Sequence, residues 1–311
     1  MVVYHELSSI ERELGFSAKT LYSVSNNISS HYAKTQIPKR DGGVRTLSVP
    51  DAILKSIQRA ILEKLLAYEP VSPYAKAYKP ASGIKKNAAS HVFAKQLLKL
   101  DILRFFDNVS YSAVKERVFP AKRYSEKIRI LLTMLCYHRE ALPQGAPTSP
   151  AISNIILRDF DMRVGEWCRD RKIVYTRYCD DMSFSGDFDS REVIEFIDAE
   201  LRLENLTLNR KKTALIPNSK RQTVTGIVVN SGVSAPKEMK REIRQCVYYC
   251  ERFGTEDHLR HKADCREPLN YLESLLGKIN FVLHIEGNNT EFCELKARVC
   301  RLIKELKSKE K

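Results

Sequence analysis

Three aspartates stand where a folded chain has least use for a charge. Asp101 interrupts the apolar run Leu97-Leu-Lys-Leu-Asp-Ile-Leu103, and Asp180 and Asp181 lie between the β-rich halves of Ile173-Val-Tyr-Thr-Arg-Tyr-Cys-Asp-Asp-Met-Ser-Phe-Ser185. The first run reads as a strand and the second as a hairpin with the acidic pair at its tip. A buried carboxylate is costly unless it is paired or bound to a cation. Carboxylates on neighbouring strands repel one another, and a divalent ion resolves that repulsion. Hard oxygen ligands suit Mg²⁺, which keeps several waters and takes substrate phosphates as further ligands. Two such ions about 3.5–4 Å apart can activate an attacking hydroxyl and stabilise a leaving phosphate oxygen. Taken singly, Asp101 is equally a strand-end turn former and Tyr-x-Asp-Asp a chance match, so it is the combination that carries the reading.

Around these strands the pattern is mixed. Residues 36–50 read as a hairpin turning at Asp41-Gly42-Gly43. Ile53, Leu54, Ile57, Ile61, Leu62, Leu65 and Leu66 keep a helical period. Further helices are expected over 125–137 and 190–204. Ser149 as N-cap and Pro150 at the first helical position open another, whose face Ile152, Ile156, Phe160, Val164, Trp167 reads as core. Ser231-Gly-Val-Ser-Ala-Pro236 is the clearest boundary, and everything beyond it reads as helix. The expectation is an α+β body over 1–232 and a helical domain over 233–311.

Lys and Arg number 52 against 38 Asp and Glu, a net charge of +14 over 311 residues, which points to a polyanionic partner, nucleic acid before membrane. Only +3 of this falls in 233–311, so the polyanion is expected to run along the body as well. One C-terminal helix face carries Lys237, Arg241, Arg244 and Tyr248, opposite Met239, Ile243, Cys246 and Val247. Such a row suits phosphate contacts and a stacked base, or is a solvated face over a buried stripe. No stretch approaches the length of a membrane span and the opening residues carry no long apolar run, so the expectation is a cytoplasmic protein without a membrane partner. The eight scattered cysteines read as reduced thiols, with a zinc site from Cys246, Cys250, His258, His261 and Cys265 as the sharper alternative.

In chain order, Lys39-Arg-Asp-Gly-Gly-Val-Arg45, Asp101-Ile-Leu-Arg-Phe-Phe-Asp107, Leu142-Pro-Gln-Gly-Ala-Pro-Thr-Ser-Pro150, Tyr178-Cys-Asp-Asp181 and Leu208-Asn-Arg-Lys-Lys-Thr213 resemble the motifs of reverse transcriptases. Asn87-Ala-Ala-Ser-His91 is similar to the Asn-Ala-x-x-His element of retron enzymes, and Val224-Thr-Gly226 to the element that opens their thumb. The resemblance implies a right-hand polymerase: fingers and palm, with an antiparallel palm sheet packed on helices, over 1–232, and a helical RNA-binding thumb over 233–311. Its activity would be two-metal nucleotidyl transfer. Part of a cognate structured noncoding RNA would be copied into single-stranded DNA, primed from a guanosine 2′-hydroxyl, in anti-phage defence.

By the same resemblance Asp101, Ile102, Asp180 and Asp181 are the positions for two Mg²⁺ ions, and Lys212, or else Lys211, is the acid for leaving pyrophosphate. Phe106 would gate against a ribose 2′-hydroxyl, or is an ordinary core Phe. Gln144 and Gly145 would meet the incoming dNTP, and Arg45, assisted by Lys39 or Arg40, would clamp its triphosphate. Asn87 and His91 are RNA contacts or a packed pair. Cys179 is expected to be oxidation-sensitive. Implied partners are the noncoding RNA, its DNA product, dNTPs, an effector protein encoded nearby and a host RNase H. The rivals are another bacterial reverse transcriptase, group II intron-like or defence-associated, and a catalytically inactive RNA-binding scaffold.

Overall fold

A computed structural model describes residues 3–38 and 42–309, so Lys39, Arg40 and Asp41 lie outside the described residues. Its contacts gather into two compact units, Met1–Gly83 with Gln96–Leu215, and Ile84–Lys95 with Ile216–Lys311. The boundary expected at 232 falls inside the second of these.

In the first unit, β1 (Tyr32–Pro38) and β2 (Val44–Pro50) form an antiparallel hairpin that pairs Ile37 with Arg45. A second sheet contains β3 (Gln96–Asp101), β4 (Val174–Tyr178) and β5 (Asp181–Gly186), with β5 antiparallel to both of the others. Pairing Leu98 with Phe184 and Leu100 with Met182 puts Asp101 directly across from Asp181. Register is fixed because a one-residue slip would turn Leu98, Leu100, Met182 and Phe184 out of the core they now fill. Helices Arg158–Asp170 and Ser190–Leu203 supply Phe160, Val164, Val193, Ile197 and Leu201 to the same core. Trp167 and Phe196 stack between these helices with ring centroids 4.2 Å apart.

The single helix expected from Ser149 onward is two. Helix Ser149–Ile156 ends at Leu157 and a new one begins at Arg158. The Arg117 guanidinium takes the Ile156 carbonyl at 3.0 Å, satisfying an acceptor that a continuous helix would have used. Thr148, not Ser149, is the N-cap residue, and the Ser149 hydroxyl donates instead to the Pro143 carbonyl at 2.9 Å.

The second unit is helical after Pro236, with helices Lys237–Phe253, Thr255–His261, Pro268–Glu286 and Thr290–Lys309 around Ile243, Val247, Leu272, Ile279, Phe292 and Val299. It also unites two segments that lie far apart in sequence. Val224-Thr225-Gly226-Ile227 is a two-residue hairpin turn with positive φ at Thr225 and Gly226, the geometry of a type I′ turn. The Thr225 hydroxyl donates to the Ile84 carbonyl at 3.3 Å, and the Phe93 N–H to the Val229 carbonyl at 3.1 Å. No helix among the described residues is long and apolar enough to cross a membrane.

Candidate active site

The first unit holds a cleft of about 650 Å³ whose walls include Arg45, Tyr78, Asp101, Phe106, Gln144, Asp180, Asp181 and Lys212. Strand pairing brings the acidic residues together. Asp101 closes β3, Asp181 opens β5, and the Ile102 N–H donates to the Asp180 carbonyl at 3.1 Å. Asp101 is buried, and its two carboxylate oxygens accept from Asn209 Nδ2 at 2.8 Å and Lys212 Nζ at 2.7 Å. Burial, then the charge of Asp101, pushes the Asp180 carboxyl above its ordinary range. Burial, then the charges of Asp180 and Asp101, pushes Asp181 up to about 6. The cluster therefore holds more negative charge than it can settle alone.

Its donors fit Mg²⁺: they are hard carboxylate oxygens, and an ammonium already sits on one of them. Among the described residues no three such groups form a preformed cage. Mg²⁺ does not demand one, since water and phosphate usually complete its shell. Asp101, Asp180 and Asp181 would hold it. Of the two lysines considered, Lys212 is the one in the cleft, with its proton held by the hydrogen bond to Asp101.

Phe105 and Phe106 both line the cleft; Phe105 is otherwise buried in the core while Phe106 is only partly buried. Gln144 reaches towards Asp107, and the Ser48 N–H donates to the Gln144 carbonyl at 2.8 Å. Gly145 faces Ser48: its φ is +125°, and an added Cβ would stand 2.8 Å from the Ser48 oxygen. The hairpin approach is what requires glycine there. Cys179 corrects an expectation, because its thiol is buried and pushed up to about 12 by burial, then by Asp180. A protonated thiol is a poor nucleophile, so oxidation sensitivity is not expected.

Sequence reasoning missed the support beneath the hairpin. Arg177 and Asp161 are fully buried and joined by two hydrogen bonds, Nε to Oδ1 at 2.8 Å and Nη2 to Oδ2 at 2.6 Å. The Tyr175 hydroxyl donates to Asp161 at 2.8 Å. Arg177 Nη1 reaches the Cys179 carbonyl at 2.9 Å, fixing a turn in which Cys179 has φ +61°. Asn154 touches the same guanidinium at 3.3 Å and donates to the Ala77 carbonyl at 2.9 Å, beside Tyr78 of the cleft wall. The only signal in sequence was an arginine inside a strand otherwise read as apolar.

The remaining expected residues lie in the second unit. Asn87 and His91 are 1% and 0% exposed, which fits the packed-pair alternative and corrects the alternative of direct RNA contact: neither offers RNA a surface. Helix Ile84–Ala89 ends between them, so they do not share one helix face. Lys237, Arg241 and Tyr248 lie on the exposed side of helix Lys237–Phe253. Arg244 shares that side, but its guanidinium is engaged by the Glu291 carboxylate, Nη2 to Oε2 at 2.7 Å. Cys246 and Cys250 are buried, Cys265 is exposed, and the ring of His258 bonds the Tyr271 hydroxyl at 3.0 Å, so the zinc alternative finds no assembled ligand set.

A family model described as reverse transcriptase (RNA-dependent DNA polymerase) matches residues 37–229. The Retron Mx65 reverse transcriptase of Myxococcus xanthus is 34% identical over 265 residues, covering 79% of this chain and 61% of that protein. The Retron Ec83 reverse transcriptase of Escherichia coli is 30% identical over 238 residues, covering 71% of this chain and 76% of that protein. Among solved structures, apo telomerase from Candida tropicalis aligns with a TM-score of 0.51 at 12% identity, over 93% of this chain and 62% of that one, a likeness of fold. The chain thus spans less than two thirds of the Mx65 protein and of the telomerase.

Proposed function

We propose that this chain, which belongs to the reverse transcriptase family, is the RNA-directed DNA polymerase of a retron. It copies part of a structured noncoding RNA into single-stranded DNA from a guanosine 2′-hydroxyl, in the cytoplasm, as part of an anti-phage system. The observation that carries the reading is one cleft whose walls include two carboxylates at strand ends, Asp101 and Asp181, a third in the adjoining turn, Asp180, and with them Lys212, Arg45, Gln144 and Phe106.

Arg45 presents a planar fork suited to the triphosphate. Phe106 stands under the sugar and selects dNTPs by bulk. Gln144 orients the nucleotide, and Lys212 holds a proton for the departing pyrophosphate oxygen. Lys39 or Arg40 assists Arg45. Mg²⁺, held by Asp101, Asp180 and Asp181, would supply charge neutralisation at the attacking and leaving oxygens. Residues 1–232 act as fingers and palm and 233–311 as an RNA-binding thumb. An effector protein and a host RNase H complete the system.

The test is the nucleic acid co-purified from cells carrying the native locus, for the wild type and for Asp180→Asn with Asp181→Asn. Branched single-stranded DNA in the wild type alone is expected. Unbranched DNA would discard the retron and keep the polymerase, and bound RNA without DNA in either sample would overturn both.

A further inference from the structure

The segment Ile84–Lys95 carries two buried polar residues, Asn87 and His91, and immediately afterwards an aromatic ring that is not buried. Phe93 is 72% exposed. Its backbone sits at φ +57°, a region that bulky residues enter only under constraint. The constraint is visible: the Phe93 N–H donates to the Val229 carbonyl at 3.1 Å, and two residues on the Lys95 carbonyl accepts from the Asn218 N–H at 3.1 Å. The loop is thus tied down on both sides of the ring, and a glycine or asparagine would sit in this conformation at less cost.

Strain kept at a solvent-facing side chain calls for a ligand. The segment holds three lysines and no carboxylate, so the ligand is anionic as well as aromatic-seeking. A rigidly held ring in a segment whose charged side chains are all lysines is an arrangement on which an unpaired base stacks, since every base has a π face and little ordering entropy remains to be lost. We infer that Phe93 is a stacking platform for an unpaired base of single-stranded RNA, and that buried Asn87 and His91 serve to build the loop that presents it. This rests on the proposed polymerase function and adds to it an RNA-contacting residue outside the cleft.

The experiment measures binding of a fluorescein-labelled single-stranded RNA 12-mer of mixed sequence to the full chain, beside thermal unfolding and Mg²⁺-dependent dNTP incorporation. Phe93→Asn should weaken binding by about 5- to 100-fold, leave the salt dependence unchanged, and keep or raise Tm because the backbone strain is relieved. Phe93→Trp should bind within about two-fold of wild type. Phe93→Leu, which keeps apolar bulk without a π face, should bind as weakly as Phe93→Asn. Wild-type affinity in Phe93→Asn or Phe93→Leu would overturn the inference, as would a Tm that falls in step with affinity. If the wild type incorporates dNTPs while the variants bind normally, only this inference fails. A wild type that neither binds the RNA nor incorporates dNTPs fails the polymerase reading too.

Discussion

Arg177 and Asp161 are an expensive way to hold a strand and a helix together, because desolvating both charges offsets most of their attraction. What an apolar pair could not supply is the donor to the Cys179 carbonyl. Replacing both, Arg177→Met with Asp161→Leu, should therefore leave Tm within a few degrees while lowering kcat by about 10- to 100-fold, since small misplacements of reacting groups are costly. Arg177→Met alone should destabilise by about 3–5 kcal/mol, having stranded a buried carboxylate. Wild-type kcat in the folded double variant would reduce the pair to packing. The carboxylates above it make a second prediction through pH. Asp181 is raised to about 6, above its unfolded value. A carboxyl raised on folding contributes stability that is full below its unfolded pKa and is lost as pH rises through the folded one. Without Mg²⁺, Asp181→Asn should accordingly raise Tm at about pH 7.5, with the advantage shrinking as pH falls below about 6 and gone only at about pH 4 and under. Mg²⁺ at about pH 7.5 should stabilise the wild type more than Asp101→Asn. A Tm difference that does not change with pH would contradict the assignment.

Elements differ in how far their own residues determine them. Strands β3, β4 and β5 were legible because a short apolar run, β-rich halves and an acidic tip are local facts, and register then follows from which side chains fill the core. The split at Leu157 was not legible, since it depends on Arg117, some forty residues upstream, capturing a carbonyl. The burial of Asn87 and His91 was legible only as one of two alternatives, because the segment that contains them is completed by residues around 216–230. The hairpin of β1 and β2 is an intermediate case. Its strands could be read from the turn, but not its anchor, where Ser48 receives Gly145 and bonds Gln144. That anchor couples the strand bearing Arg45 to the segment bearing Gln144. Gly145→Ala would place a methyl 2.8 Å from a backbone oxygen at a φ that alanine resists. A loss of about 1–3 kcal/mol in urea unfolding is expected, with KM for dNTP raised more than kcat is lowered. Unchanged stability would show that the close approach is not maintained.

The charge of the whole molecule sets how it meets a polyanion. Of the net +14, residues 233–311 contribute only +3, so most of the attraction arises elsewhere in the chain. The exposed row on helix Lys237–Phe253 is also weaker than its spacing suggests, since Arg244 is already answered by Glu291 while Lys237 and Arg241 share the same solvent-facing side. Sequence spacing could place these residues on one face but could not show which of them had an acidic partner on a different helix. The consequence is measurable as a salt dependence, because each phosphate contact with a single strand adds about 0.7 to the slope of log K against log salt. Lys237→Gln with Arg241→Gln should flatten that slope by about 1.4 at most, leaving the larger part intact. Arg244→Gln should leave the slope unchanged while lowering Tm slightly through the loss of its ion pair. Titrating one RNA over a range of salt concentrations reads both. A slope lost almost entirely in the double variant would place the polyanion on this helix alone, and a slope flattened by Arg244→Gln would mean that RNA displaces Glu291 when it binds.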